Sequence, residues 1–298
     1  MKKNLLIPLL VTLLVVAAAG PSSGPRRASA DTTAMLNLLG LSLAILDAIP
    51  EPLDDPLDPP GFFQVKPQEF DPGKTNLVQA AWLHGTGCPT NATIALPNTS
   101  FTGVGSFSTY TDPACDPSVG GGDPKDQRNE GLLLVKTGPT TNFASAGAEL
   151  HNVKGITLTE LGYDIRKYGP GTHLGDRGSH CGAGAPRFNI LTTTGFFFLG
   201  CSSPPPNSEI LGDGWIRLHW GSTSGLPPLV AFCVAPTPTI TCPSNFSLVP
   251  VTGAVKRIQI VFDEGQDASG GPDEFGAAIL DNINVNGARV GHGATDAS

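Results

Sequence analysis

From residue 62 onward the chain consists of short runs of β-branched and aromatic residues, each cut off by a cluster of Gly, Pro, Asn or Asp, and this punctuation most limits its fold. A strand needs only about five residues, whereas a helix that buries one face needs about ten or more. The punctuation predicts strands over 76–83, 131–136, 146–153, 156–167, 187–191, 196–201, 215–220, 229–234, 255–262 and 277–285. No long amphipathic helix separates them, which argues against α/β folds, whose parallel strands need crossover helices. The expectation is an all-β, antiparallel two-sheet sandwich with long Gly/Pro-rich loops. The 37 Gly and 28 Pro fit that loop content, and 40% hydrophobic residues are enough for a core.

The ends read differently. Lys2 and Lys3, an apolar run over 5–19 and the small-residue tripeptide Ala28, Ser29, Ala30 have the form of an export signal. An apolar run of roughly 15 residues falls short of the roughly 17 to 25 needed to cross a bilayer, so residues 1–30 are expected to be a cleaved signal peptide rather than an anchor. Residues 31–61 join an apolar segment, "AMLNLLGLSLAIL", to an extended acidic linker, "DAIPEPLDDPLDPPG". The apolar segment is either a short docked helix or a removed pro-segment. Residues 62–292 make the sandwich domain and 293–298 a tail. The formal net charge is −8, and cleavage removes four bases (Lys2, Lys3, Arg26, Arg27) and no acid, taking it to −12. Such a surface repels nucleic acid and anionic lipid and leaves no membrane span after cleavage.

Export decides how the cysteines are read. Six cysteines in a secreted chain imply a disulfide framework. The expected pairs are local in sequence, Cys88 with Cys115, Cys181 with Cys201 and Cys233 with Cys242, because each pair brackets a loop or hairpin whose ends should lie close. No cysteine has CxxC zinc spacing. Cys181, beside His180, is expected to be a cystine rather than a catalytic thiol.

Period-two alternation assigns faces. In "WIRLHW", Ile216, Leu218 and Trp220 point one way, and Trp215, Arg217 and His219 face solvent or a ligand. In "VKRIQIVF", Ile258, Ile260 and Phe262 share a face with Lys256, opposite Arg257 and Gln259. An aromatic ring among Arg, His and amide groups suits a sugar, with the ring on the pyranose and the polar tips on its hydroxyls; an ordinary wet sheet face is the alternative. Trp215, Arg217, His219, Arg257 and Gln259 are therefore the candidate ligand residues.

In "AILDNINVNG" the alternation places Ile279, Asp281, Ile283 and Val285 on one face, so Asp281 falls in the apolar phase. A buried carboxylate costs several kcal/mol, on the order of a lost charge solvation, unless an ion or strong hydrogen bonds compensate it. Outside the cell calcium is the economical ion; an Arg partner or backbone N–H groups are the alternative. The preceding loop matches EF-hand positions at Asp263, Asp267 and Glu274, but Gly265 and Ala268 replace a ligand and the turn glycine, and no helices flank it.

An apolar last strand ending "AILDNINVNG" in a secreted β-rich domain resembles the galactose-binding-like jelly rolls, which include many carbohydrate-binding modules. The resemblance covers roughly residues 62–291 in architecture and this one motif in sequence. It implies a jelly-roll sandwich that binds an extracellular glycan or cell-wall polysaccharide, with Asp281 holding a structural calcium. The family draws a further acid from an early strand, a role that falls on Glu69.

Beyond the export signal catalytic motifs are lacking: no GxSxG, HExxH, Walker loop or GxGxxG occurs there. His173, Asp176 and His180 share one Gly-rich loop and are expected to be merely exposed. Glu149, Glu160, Asp263 and Glu264 could supply the two carboxyls of a glycosidase. The reading is thus a secreted, non-catalytic binding or structural module, with a glycan hydrolase, or a surface protein with no small ligand, as the alternatives.

Overall fold

The computed structural model describes residues 63–293 apart from 89–93, 98–106, 111–114, 116–120, 127, 138–143, 168–180, 182–184, 213, 235–241, 243–245 and 264–274. The export signal, residues 31–61, the loop of His173, Asp176 and His180, and Glu264, Asp267 and Glu274 lie outside the described residues. In chain order the strands are β1 (Gln64–Phe70), β2 (Val78–Leu83), β3 (Ile94–Pro97), β4 (Phe107–Tyr110), β5 (Gly131–Thr137), β6 (Ser145–His151), β7 (Glu160–Lys167), β8 (Arg187–Thr192), β9 (Phe196–Gly200), β10 (Asn207–Gly212), β11 (Trp215–Gly221), β12 (Val230–Val234), β13 (Ser247–Pro250), β14 (Val255–Phe262), β15 (Phe275–Val285) and β16 (Ala288–Val290). Among the described residues there is no α-helix, and none long and apolar enough to cross a membrane.

Two antiparallel sheets form the sandwich. Sheet A runs β1-β6-β14-β8-β9-β12-β13; sheet B runs β10-β11-β7-β15-β5-β2, with β16 added on β15. A separate hairpin pairs β3 with β4. The chain passes from β5 in sheet B to β6 in sheet A, back to β7 and again to β8, so neighbours in sequence face each other across the core. Each predicted strand is present. The segment 156–167 becomes regular only at Glu160, with Thr157 bridging to Ala254. Pro67 lies within β1, which tolerates it as an edge strand because a missing N–H is harmless there.

Alternation builds the core. Ile258, Ile260 and Phe262 from sheet A meet Ile216, Leu218 and Trp220 from sheet B in one buried cluster. Tyr163, Phe188 and Trp220 join the sheets as an aromatic trio, with centroids 5.4 to 6.3 Å apart. Their polar tips are satisfied: Tyr163 OηH donates to the Pro186 carbonyl and Trp220 Nε1–H to the Pro204 carbonyl, each at 2.8 Å.

Besides a register shift in edge strand β10 between Ile210 and Gly212, two bulges break the alternation among the described residues. In β14 the register shifts between Val255 and Arg257, leaving Lys256 exposed while Val255 and Ile258 are both buried, so Lys256 does not share the core face. In β15 it shifts between Asp281 and Asn284, and Asn282 takes a left-handed φ of 46°. Beyond the bulge the phase reverses: Leu280, Ile283 and Val285 face the core, while Ile279 belongs to the separate cluster outside sheet B. Asp281 is therefore buried beneath a cover on the outer face of sheet B, not within the sandwich.

Candidate functional site

That cover is made of residues 84–88, 121–126, 128–130 and 291–293, and it hangs from polar side chains of β15 and β7. Asp281 Oδ2 accepts the Cys88 N–H at 2.7 Å and its Oδ1 accepts the Asn282 N–H at 2.5 Å. Asn282 Oδ1 accepts the Asp123 N–H at 2.8 Å, and its Nδ2 donates to Asp164 Oδ2 at 2.9 Å. Asp164, directly opposite Asp281 in the ladder, is held by Arg217 through Nε and a terminal nitrogen, both at 2.8 Å. The same guanidinium donates to the Gly121 carbonyl of the cover. Farther out, Asp123 Oδ2 accepts the Gly291 N–H at 2.9 Å and meets His292 Nδ1 at 2.6 Å, while Glu130 meets His84 at 3.1 Å. Gly87 and Gly291 leave the space that the Asp281 carboxyl fills: a Cβ on either would stand 2.9 or 2.5 Å from its oxygens.

The electrostatics follow from this crowding. Burial, then the Asp164 charge, pushes the Asp281 carboxyl well above the usual carboxylate range against the pull of its two N–H donors. Burial also raises Asp164, opposed by Arg217, whose own affinity for its proton the carboxylate increases. With both Asp164 oxygens bound by the guanidinium, the pair is ionic at neutral pH. Asp126 is raised by burial. Asp123 is lowered, because His292 and the backbone donors outweigh its burial, and His292 is raised by its bond to Asp123.

The five candidate ligand residues divide between opposite sides of the molecule. Trp215, Arg217 and His219 project from β11 on the outer face of sheet B; Arg257 and Gln259 project from β14 on the outer face of sheet A. Trp215 does not face solvent. It is 0% exposed and packs with Cys88, Cys115, Leu211 and Ile279 under the cover, where its indole N–H finds no acceptor among the described residues. Arg217 is bound to Asp164. His219 is half-buried, opposite Gly162.

Arg257 pairs with Glu149 at 2.7 Å. Gln259 lies in a continuous row across sheet A: Lys66, Glu149, Gln259, Asn189, Phe198, Phe232 and Leu248 stand opposite one another in successive strand pairs. The row is polar at one end and apolar at the other. Phe198 has Arg187 over its ring at 5.6 Å and Phe246 stacked beside it at 6.5 Å, whereas Phe232 is half-buried and Leu248 is 50% exposed. Local alternation put Gln259 on the outer face of β14, where it is buried rather than open to solvent, and the row depends on strand order, which no single segment carries.

Glu69 accepts the Ala80 N–H at 3.0 Å on edge strand β2, and Ala80 aligns through Leu134 with Ala278, three residues along β15 from Asp281. The acid beside Asp281 is Asp164, which lies in a predicted strand but pairs with Asp281 only through the order of sheet B. For a metal, the fit is partial. Among the described residues, the group of three His, Cys, Asp or Glu ligand atoms within metal reach is Cys88, Cys115 and Asp164, and its two cysteines are joined as a disulfide.

All three expected disulfides are present. Of the carboxyls weighed for glycoside hydrolysis, Glu149 is bound by Arg257, Asp263 by Arg187 through two bonds of 2.5 Å, and Glu160 by Asn284. Glu149 belongs to sheet A, Asp263 directly follows its strand β14, and Glu160 belongs to sheet B. Comparison of the chain with protein-family models, with curated proteins and with solved structures found no match.

Proposed function

We propose that the protein is an exported, non-catalytic module of jelly-roll type that binds a hydroxyl-rich ligand, an extracellular glycan, through the outer face of sheet A. The observation that carries this reading is the row from Lys66 to Leu248. Its accessible polar groups, the half-buried Lys66 and the Glu149–Arg257 pair beside Gln259, offer donors and acceptors with little net charge, which suits vicinal hydroxyls. At the other end Phe232 and Leu248 offer apolar surface for the carbon face of a sugar. The three disulfides support an oxidising compartment outside the cytoplasm. Separate ion pairing of Glu149 and Asp263 speaks against a glycosidase pair. Retention on a panel of immobilised polysaccharides, run beside chromogenic glycosides, tests the proposal: binding without turnover is expected, and turnover would replace it with the hydrolase.

One further observation favours a calcium ion at Asp281. The buried carboxyls of Asp164 and Asp281 face each other; Arg217 is bound to Asp164 and the Arg289 charge also acts on it, while Asp281 is held by two backbone N–H groups. A divalent cation would balance the charge of an ionised Asp281, with Asp281 as its protein ligand and carbonyl oxygens completing the shell.

A further inference from the structure

The charges of the row on sheet A do not cancel within the row. Its charged members are Lys66 and Glu149, which stand opposite each other in the ladder of β1 and β6. Glu149 is committed elsewhere: Arg257 Nη2 donates to its Oε2 at 3.0 Å, and Arg257 Nε stands 2.7 Å from its Oε1. Farther along the face, Arg187 is matched by Asp263 in the same two-pronged way. Lys66 lies in the phase opposite to the core residue Val65, so its side chain projects outward, and among the described residues its ammonium has neither an ion pair nor a hydrogen bond. Gln68, two residues along on the same face of β1, adds an amide with no described partner of its own.

We propose that the glycan bound on this face is acidic, with a carboxylate or a sulfate ester of one sugar residue seated on Lys66. The proposal rests on the glycan reading of the row and names the class of sugar the row takes. A neutral sugar laid over the half-buried Lys66 would strip water from the ammonium and return no charge, whereas an anionic substituent returns a charge-assisted hydrogen bond. The chain as a whole pulls the other way: its formal net charge of −8 repels polyanions, so a preference for an acidic glycan has to come from a local cation and not from bulk attraction.

Retention is compared on two matched pairs, polygalacturonate against its methyl ester and dextran sulfate against dextran, in about 0.15 M salt, where a Debye length of about 8 Å largely screens repulsion from distant acids. The acidic member of at least one pair should hold the wild type about tenfold more strongly, roughly the gain from one charge-assisted hydrogen bond. Which pair shows it separates carboxylate from sulfate. Lys66→Gln should hold both members alike, and Lys66→Arg should keep the preference. Lys125→Gln, which removes the same charge from an exposed site in the cover on sheet B, should leave the preference unchanged. A wild type that holds the two members of each pair alike, or prefers the neutral ones, would overturn the proposal and leave the glycan reading standing; retention on no polysaccharide would end both. A preference that survives Lys66→Gln, or that Lys125→Gln also abolishes, would equally overturn it. Melting temperatures establish that the variants are folded, and the wild-type comparison decides alone if they are not.

Discussion

Asp281 stands directly opposite Asp164 in the antiparallel ladder of β15 and β7, and Arg217 is bound to Asp164 rather than to Asp281. Burial and the neighbouring charge therefore raise the Asp281 carboxyl well above its unfolded value. A carboxyl raised in this way stabilises the fold fully below the unfolded value of about 3.9, and that contribution is lost as pH rises through the folded value. In chelator, the stability of the wild type minus that of Asp281→Asn should shrink as pH rises above 4. Urea melts of both proteins across pH 4 to 9 measure it, roughly spanning the carboxyl and imidazole ranges. A difference that grows with pH would mean that Asp281 is ionised and favourably paired.

Calcium predicts a separate effect at neutral pH. An ion bound only by the native state stabilises it by about 2.7 kcal/mol at a hundredfold excess over Kd. The wild-type melting temperature should rise with calcium and fall with chelator, and Asp281→Asn should remove most of that response. A wild-type melt indifferent to chelator rules out the ion and leaves the fold untouched.

Trp215 is a packing residue. Trp215→Ala should cost about 3 to 5 kcal/mol, the range for deleting a buried large aromatic, because the ring fills the space between the Cys88–Cys115 disulfide, Leu211 and Ile279. Thermal or urea melts check it. A variant that melts like the wild type but no longer binds polysaccharide would return Trp215 to the ligand face.

Where alternation ran unbroken, the sequence was legible: Ile216, Leu218 and Trp220 were assigned to the core from "WIRLHW" alone, and they are there. It failed at Asp281 and Asn282, where an extra residue in the ladder turns the phase over and no turn glycine marks the place. Trp215 projects outward as the pattern requires, yet it is buried because residues distant in sequence cover sheet B, and local periodicity carries no information about a second layer. β10 opens on polar residues and carries a register shift, β13 has only four residues, and Pro67 disguised β1. The cysteine pairs were legible because each closes a short local loop.

His292 ties the residues after β16 to the cover through Asp123. Its imidazolium is raised, so its contribution is fully present below the ordinary value of about 6.5 and is lost as pH rises through the folded value. His292→Asn should cost about 1 kcal/mol at mildly acidic pH, since His292 is partly exposed and the pair is partly screened, and less at pH 9, an alkaline limit roughly above the imidazole range. Melts at the two pH values measure this. An equal loss at both would show that the protonated pair contributes nothing.

The most direct test of the glycan reading is retention of the folded protein on the polysaccharide it binds best, measured for the wild type, Lys66→Ala and Phe232→Ala alongside their melting temperatures. The two residues lie in one row of sheet A, five strand pairs apart. The account predicts that each substitution weakens retention at least about tenfold, the loss of roughly one good hydrogen bond or aromatic contact, while both variants stay folded. Unchanged retention in both, or no retention of the wild type on any polysaccharide, would contradict it.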